Sequence, residues 1–297
     1  MPNDTPRLTV VIPTLCSEAR GPGLLRAVAT AFAASRHDVE VVAVANGPQV
    51  SLSVLRDVEH MGVRVLRQAA GSLPLAVAFG RAAVQTPFFA FLDDDDELLP
   101  GALDRRLDVM VADPTVSVVV SNGYKEVSGN LVAMHPDMKG IFDDPLLRLL
   151  ERNWLASCAG LYRSLTIGDH FFQQSHGYAE WTWLAFKMCA AGVRVRSIES
   201  MDYVVHDTPS SLSKLQAYDE SYVLLFERML EHDLPSLARN RIIQKRCAAY
   251  HHLSEKALER KELRAALILH CKSLYPPFGL RYIPFTRHVV RAAIAGD

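Results

Sequence analysis

The apolar residues in the first part of the chain follow two alternating periods. Short, nearly continuous runs of Val, Ile, Leu and Phe are typical of strands that are buried on both faces. Such runs occupy residues 8–12, 39–44, 63–66, 88–92 and 116–120. Between them, apolar residues recur at helical spacing in residues 21–35, 52–60, 73–84 and 99–111. The alternation predicts an α/β fold with a mostly parallel central sheet flanked by helices.

The rest of the chain is less regular at first and then helical. Helices are predicted at 146–151 and 180–191, and strands at 193–198 and 203–205. Residues 217–294 have a mostly helical pattern, interrupted at Pro235 and at Pro276-Pro277. We therefore predict a domain over residues 1–215, with halves 1–122 and 123–215, and a helical C-terminal extension over residues 216–297.

The composition fits an ordinary globular protein. Hydrophobic residues make up 49% of the 297-residue chain and charged residues 22%, which is not the composition of a disordered protein. No apolar run is as long as a membrane span, and the first residues lack the basic and apolar regions of a signal peptide. Five cysteines without a Cys-x-x-Cys pair argue against a disulfide framework and a structural zinc site. These features predict a cytoplasmic protein.

Charge is distributed unevenly along the chain. From Ser236 onward there are twelve Lys and Arg against four Asp and Glu, a balance of +8, whereas the whole chain carries −1. The remaining residues therefore carry −9. A basic tail on an acidic body suggests an anionic partner, either membrane lipid or nucleic acid. A helical packing element with a solvated basic face is the alternative interpretation.

The most informative segment is the run of residues 88–97, in which an apolar, aromatic strand ends in four aspartates and a glutamate. Carboxylates this close together repel one another, so the cluster requires a compensating cation. Oxygen ligands of this kind suit Mg²⁺ or Mn²⁺ bound against a diphosphate. The alternative is a solvated acidic loop or a helix start, where acidic residues complement the helix dipole.

Two common nucleotide-binding motifs are absent from the sequence. No Gly-x-Gly-x-x-Gly follows the first strand, and no Gly-x-x-x-x-Gly-Lys-Ser/Thr occurs. A nucleotide must therefore be bound in another way.

Four segments, in this order, resemble glycosyltransferase family 2, whose members have the GT-A fold and invert the anomeric configuration. They are the first strand with Pro13-Thr14, the second strand ending in Asn46-Gly47, the Asp-x-Asp motif at Asp93-Asp94-Asp95, and Glu180-Trp181 followed by Val204-Val205-His206 and Ser210-Ser211-Leu212-Ser213. The resemblance covers roughly residues 8–213. It implies a GT-A nucleotide-sugar transferase fold for this region.

The resemblance also implies roles for individual residues. Asp95 would contact Mn²⁺ or Mg²⁺, and His206 would be a second metal ligand or a donor to the diphosphate. Glu180 would be the general base that removes the proton of an acceptor hydroxyl. Trp154 and Trp181 are candidates for contacting the acceptor. The expected nucleotide-sugar-binding residues are Pro13, Thr14, Glu18, Asn46, Gly71, Asp93 and Asp94.

The sequence departs from the family pattern at two places. Relatives commonly carry an Arg-Asn pair where this chain has Val77-Ala78. Arg81, Arg67 or Lys125 are the candidates to replace the missing arginine. The second strand ends in Asn46 rather than in acidic residues, which leaves the identity of the nucleotide open, because an amide both donates and accepts hydrogen bonds.

The resemblance implies a metal-dependent inverting glycosyltransferase that moves a sugar from a nucleotide-diphosphate sugar to a hydroxyl. The expected acceptor is a glycan, glycolipid or small molecule in polysaccharide, glycolipid or glycosylated-metabolite biosynthesis. A sugar-phosphate nucleotidyltransferase would share the sheet and the metal site. An inactive nucleotide-sugar-binding module is the third interpretation. The basic C-terminal region predicts peripheral contact with anionic membrane at the inner face of the cell membrane; no nucleic acid is expected, and a homodimer is an open alternative.

Overall fold

The structure, a computed structural model, describes residues 7–173, 177–208 and 216–295. The chain forms two compact units, residues 1–175 with 180–209 and residues 176–179 with 210–297. Strands of the first unit are β1 (Leu8–Thr14), β2 (Val39–Asn46), β3 (Arg64–Gln68), β4 (Phe88–Phe91), β5 (Glu97–Leu98), β6 (Val118–Val127), β7 (Asn130–Ala133), β8 (Gly160–Arg163) and β9 (Val195–Val205). Its helices are α1 (Gly21–Ala33), α2 (Leu52–His60), α3 (Leu73–Ala82), α4 (Ala102–Ala112), α5 (Pro145–Glu151) and α6 (Glu180–Ala190).

The strands of the described residues form one sheet in the order β3-β2-β1-β4-β8-β6-β9-β5, with β7 paired to β6. β1 is parallel to both β2 and β4, and β2 is parallel to β3. All seven residues of β1 are buried, as expected for a central strand covered on both faces. Because Val11 is in register with Phe91, the turn after β1 and the aspartate run after β4 lie at the same edge.

The predicted α/β class and mostly parallel sheet are confirmed, and the strands differ from the prediction in several details. The strands predicted at 193–198 and 203–205 are one strand, β9, whose pairing with β6 is shifted at Asn122. These register shifts interrupt the regular side-chain alternation on which the prediction was based. Strand β8, which was not predicted, lies antiparallel between β4 and β6.

Close contacts fix the helices against the sheet. A Cβ at Gly80 of α3 would lie 2.3 Å from Val11, so glycine permits the close packing of α3 on β1. Helix α4 is fixed by Arg106, which is fully buried and lies 3.4 Å from Asp202 of β9. Arg106 also donates to the Ser121 hydroxyl at 2.9 Å. These contacts hold α4 against strands β6 and β9 of the sheet.

The second unit is helical over the residues that the structure describes. It contains α7 (Gln216–Leu230), α8 (Ser236–Glu259), α9 (Leu263–Ser273), a 3₁₀ turn (Leu280–Phe285) and α10 (Thr286–Ala295). Tyr250 and Leu253 of α8 pack against Val223 of α7, and the Tyr250 hydroxyl donates to Glu227 at 2.6 Å. Within the described part of the chain, no helix is long and apolar enough to cross a membrane.

Candidate active site

The aspartates that follow β4 are bonded to segments that are distant in sequence. Asp93 accepts a hydrogen bond from the Ser157 hydroxyl at 2.8 Å. Asp95 accepts one from the Arg20 guanidinium at 2.8 Å and one from the Thr208 hydroxyl at 2.9 Å. Both residues are half-buried, whereas Asp94 and Asp96 are buried. They are therefore the members of the run that are positioned to contact a ligand.

Asp94 is buried and connects the aspartate run to the turn after β1. Its carboxylate accepts from the Thr14 hydroxyl at 2.6 Å and from Arg20 at 3.1 Å. The amide of Cys16 donates to the same Thr14 oxygen at 2.9 Å. A Cβ at Gly23 would lie 2.9 Å from the carbonyl oxygen of Asp94, so the start of α1 packs closely on the run. Thr14 and Asp94 are both expected to bind the nucleotide sugar. Their hydrogen bond joins the end of β1 to the aspartate run after β4.

The aspartates lie in an environment that favours protonation. Burial raises the pKa of Asp93 to about 7, and the Ser157 hydroxyl opposes this rise. The nearby carboxylates of Asp95, Glu180 and Asp94 contribute further to it. Burial also raises the pKa of Asp96 well above its usual range, with Asp93 and Asp95 contributing. A cation bound here would relieve this repulsion.

Arg20 supplies a positive charge to this cluster, because it bridges Asp94 and Asp95. Within the described residues, no three His, Cys, Asp or Glu side chains are grouped so that they could enclose a metal ion. Mg²⁺ and Mn²⁺ need no such enclosure where one or two carboxylates and the substrate phosphates supply the oxygens. The carboxylates of Asp93 and Asp95 fit a site of that open kind.

His206 lies beside the aspartate run and is held by carboxylates. Its backbone amide donates to Asp96 at 3.1 Å. Its ring nitrogens lie 2.9 Å from Glu126 and 2.9 Å from Glu97, and Glu97 also pairs with Arg26 at 2.8 Å. Both ring nitrogens thus have partners in this structure, and metal binding by His206 stays a prediction. The segment 210–213, expected to follow it as a loop, lies outside the described residues.

The other residues expected to bind the nucleotide sugar lie at or after the ends of β1, β2 and β3. The Asn46 side-chain oxygen accepts from the amide of Ser72 at 2.9 Å and from Gln68 at 3.2 Å. Gly47 has a φ of 110°, and Gly71 approaches it closely. Pro13 is buried within β1, whereas Glu18 is exposed in the loop after it. The structure thus brings Asn46, Gly47 and Gly71 together.

Glu180 is the first residue of α6 and lies close enough to Asp93 for its carboxylate to raise the pKa of that aspartate. Burial raises the pKa of Glu180 itself. The next residue, Trp181, is half-buried, and its ring centroid lies 5.3 Å from that of Phe91 at the end of β4. A candidate base and an aromatic side chain are therefore placed beside the acidic edge.

Trp154 is buried beside the start of helix α5. Its side chain is only 2% exposed, and its indole nitrogen donates to the carbonyl of Pro145 at 2.9 Å. It lines a cleft together with Lys139, Arg148 and Arg152. Contact between Trp154 and an acceptor stays a prediction.

The three candidates for the missing arginine differ in their surroundings. Arg81 is buried, donates to the carbonyls of Ile167 and Ser164 at 3.0 and 2.9 Å, and stacks on Phe89. Its guanidinium thus has a structural role. Lys125 is exposed on β6.

Arg67 is exposed at β3 and lies near Cys16. Burial raises the pKa of the Cys16 thiol, and the charge of Arg67 opposes that rise. Arg67 is in register with Ala45 of β2, which is in register with Thr14 of β1, so Arg67 lies at the same edge of the sheet as the turn after β1.

Sequence reasoning did not identify Arg20, Ser157 or Thr208. Their bonds to the aspartate run span 75, 64 and 113 residues, respectively. The acidic run itself is a signal for Arg20, because four neighbouring carboxylates require a cation. Nothing in the local sequence distinguishes Ser157 or Thr208.

The fold is that of the GT-A class of proteins. Solved structures of S. aureus TarS are similar to the chain. The structure of TarS 1–349 in complex with UDP-GlcNAc gives a TM-score of 0.63 at 16% identity, covering 90% of this chain and 81% of that one. TarS 1–349 with UDP gives 0.61 at 14% identity, covering 97% and 88%. A longer TarS structure gives 0.63 at 15% identity, covering 97% of this chain and 53% of that one.

Residues 9–174, more than half of the chain, match the model of glycosyl transferase family 2. The comparison with curated proteins gives no match. The chain belongs to glycosyl transferase family 2, and the expected family and fold are confirmed.

Proposed function

We propose that the protein is a metal-dependent inverting glycosyltransferase that takes its sugar from a nucleotide-diphosphate sugar. The observation that carries this proposal is the position of helix α6, which begins at Glu180 and whose Trp181 ring lies 5.3 Å from that of Phe91, just before the aspartate run. The complexes of TarS with UDP-GlcNAc and UDP support a nucleotide-sugar donor. The acceptor is a hydroxyl of a glycan, glycolipid or small molecule, and the product belongs to polysaccharide, glycolipid or glycosylated-metabolite biosynthesis.

The reaction breaks the bond between the anomeric carbon and a diphosphate oxygen, which leaves with the electron pair. A divalent cation held by Asp93 and Asp95 would stabilise the negative charge on that diphosphate as a Lewis acid. Arg20 adds a fixed positive charge beside the same carboxylates. Ser157 and Thr208 hold Asp93 and Asp95 in place.

Glu180 accepts the proton of the acceptor hydroxyl while the acceptor oxygen forms its bond to the anomeric carbon. Attack from the face opposite the leaving diphosphate inverts the configuration. A general base works best when its pKa lies near the working pH. The burial that raises the pKa of Glu180 moves it in that direction.

The substitution Glu180→Gln separates donor binding from catalysis. Binding of the nucleotide sugar should change less than threefold, whereas transfer and donor hydrolysis should fall by about 10²- to 10⁴-fold. Glu59→Gln, on the exposed side of α2, is the control and should leave both unchanged. Full turnover in Glu180→Gln would contradict its role as the base.

Two further results would favour the other interpretations. Pyrophosphate release from a nucleoside triphosphate and a sugar phosphate would indicate a nucleotidyltransferase. Donor binding by the wild type without hydrolysis or transfer, over a broad panel of acceptors, would indicate a binding module.

A further inference from the structure

The last helices of the second unit carry positive charge without acidic residues. Between Glu262 and Asp297 the sequence contains no Asp or Glu. The cations in this stretch are Arg264, Lys272, Arg281, Arg287 and Arg291. Within the described residues, none of the five forms an ion pair with a carboxylate. Because no carboxylate of the described residues pairs with these cations, their charge is available to an external partner.

Helix α10 presents these charges together with aliphatic side chains. Arg287, Val290, Arg291 and Ile294 are exposed and follow the spacing i, i+3, i+4, i+7, so they form one stripe along the helix. Val290 is 47% and Ile294 80% exposed, whereas Val289, on the other side, is buried. Helix α10 is thus amphipathic and also leaves a mixed apolar and basic stripe in solvent.

Helix α9 has a stripe of the same spacing. Arg264, Leu267, Ile268 and Cys271 are exposed, with Leu267 and Ile268 at 51% and 58%. The buried side of α9 carries His270, whose ring lies 2.8 Å from the hydroxyl of Thr286 at the start of α10. The two helices therefore contact each other through residues that are not part of these stripes.

The 3₁₀ turn between the helices continues the pattern. Leu280 and Ile283 are 48% and 53% exposed, and Arg281 is exposed between them. The aromatic residues of this turn face inward instead, because Tyr282 and Phe285 pack on His251 with ring centroids 4.1 and 4.9 Å away. Aliphatic side chains therefore form the exposed apolar part.

We propose that α9, the 3₁₀ turn and α10 form a basic–apolar surface that binds anionic lipid bilayers. Arginines pair with lipid phosphates while leucine, isoleucine and valine side chains enter the headgroup boundary. Nucleic acid fits less well, because bases stack on aromatic side chains rather than on exposed aliphatic ones. A second copy docked through the same surface is disfavoured, because the facing segments would both be positive.

The test is flotation of the full chain with vesicles of phosphatidylcholine alone and with added phosphatidylglycerol. Binding should require the anionic lipid and weaken with salt. Arg287→Gln with Arg291→Gln should reduce partitioning by about thirtyfold. Val290→Ser with Ile294→Ser keeps every charge and should reduce it by about tenfold.

The matched control is Arg36→Gln with Arg56→Gln, which removes two exposed arginines from the first unit and should leave flotation unchanged. Circular dichroism of each variant confirms that the fold is retained. The proposal is overturned if wild-type protein fails to float with anionic vesicles, or if the control reduces binding as much as the α10 variants do. Binding that survives Val290→Ser with Ile294→Ser unchanged, or that prefers duplex DNA to anionic vesicles, also overturns it.

Discussion

The guanidinium of Arg20 lies 2.8 Å from the carboxylate of Asp95, the residue expected to contact the metal. The same nitrogen lies 3.1 Å from Asp94. The acidic edge therefore contains a positive charge of its own, and a divalent cation binding to Asp95 must either share this carboxylate with Arg20 or displace it.

Removing that charge should strengthen cation binding. For Arg20→Gln, we expect Mn²⁺ without nucleotide to bind roughly tenfold more tightly, because a neighbouring positive charge no longer repels it. Electron paramagnetic resonance of free Mn²⁺ measures this affinity. Arg36→Gln makes the same change in charge at an exposed pair with Asp108 and should have no effect. Weaker Mn²⁺ binding in Arg20→Gln would show that Arg20 builds the cation site instead of competing for it.

The raised pKa of Asp93 makes stability depend on pH. The ordinary aspartate value is 3.8, and the folded protein has about 7, so folding favours the protonated form. This contribution to stability is fully present below the ordinary value and is lost as pH rises through about 7. In a chelator at pH 8, Asp93→Asn should therefore increase the free energy of unfolding by about 2 kcal/mol.

Urea denaturation of Asp93→Asn and wild type between pH 4 and pH 8 measures this difference. The gain should shrink toward pH 4, where the wild-type carboxyl is protonated in the folded protein and partly protonated in the unfolded chain. Asp57→Asn, on the exposed side of α2, is the control and should show no such trend. A gain that grows on acidification would contradict the assignment.

The hydrogen bond from Thr14 to Asp94 should contribute to stability as well as to geometry. Thr14→Val keeps the shape of the side chain but leaves a buried carboxylate without one of its donors. We expect a loss of about 2 kcal/mol in the free energy of unfolding. Thr14→Ser retains a hydroxyl and should recover most of the loss. Equal destabilisation by both substitutions would attribute the effect to packing.

Buried and exposed ion pairs of α4 should differ in their contribution to the free energy of unfolding. Asp202 is fully buried and contacts Arg106 and Arg105, so Asp202→Asn should lower the free energy of unfolding by about 3 kcal/mol. Asp108 forms an exposed pair with Arg36, so Asp108→Asn should lower the free energy of unfolding by less than about 1 kcal/mol. Chemical denaturation of both variants measures the contrast, which similar losses would contradict.

Much of the fold could be predicted from sequence because β1, β2 and β4 are mostly buried, nearly continuous apolar runs and the segments between the first strands include amphipathic helices. Helix α2 begins and ends at the predicted residues, Leu52 and His60. Strands β5, β7 and β8 were missed because each has only two to four residues. Such strands are specified by their partners in the sheet rather than by a local period.

The candidate site, like the fold, could be predicted from the sequence only in part. The aspartate run was visible because charge of one sign is concentrated at a strand end. Arg20 and Ser157 could not be placed there, because their bonds depend on how the loop after β1 and the segment before β8 fold back onto β4. Tyr282 and Phe285 of the 3₁₀ turn pack inward for a comparable reason, since His251 of α8 provides a surface for their rings.

The most direct test of the account is calorimetric binding of UDP, GDP, dTDP and CDP, each with and without Mn²⁺, to the wild type and to Asp95→Ala. Asp57→Ala serves as the matched control. If Asp95 holds the cation that binds the diphosphate, one nucleotide should bind only with Mn²⁺, and this binding should be retained in Asp57→Ala and lost in Asp95→Ala. No binding of any of the four nucleotides to the wild type, with or without Mn²⁺, would contradict it.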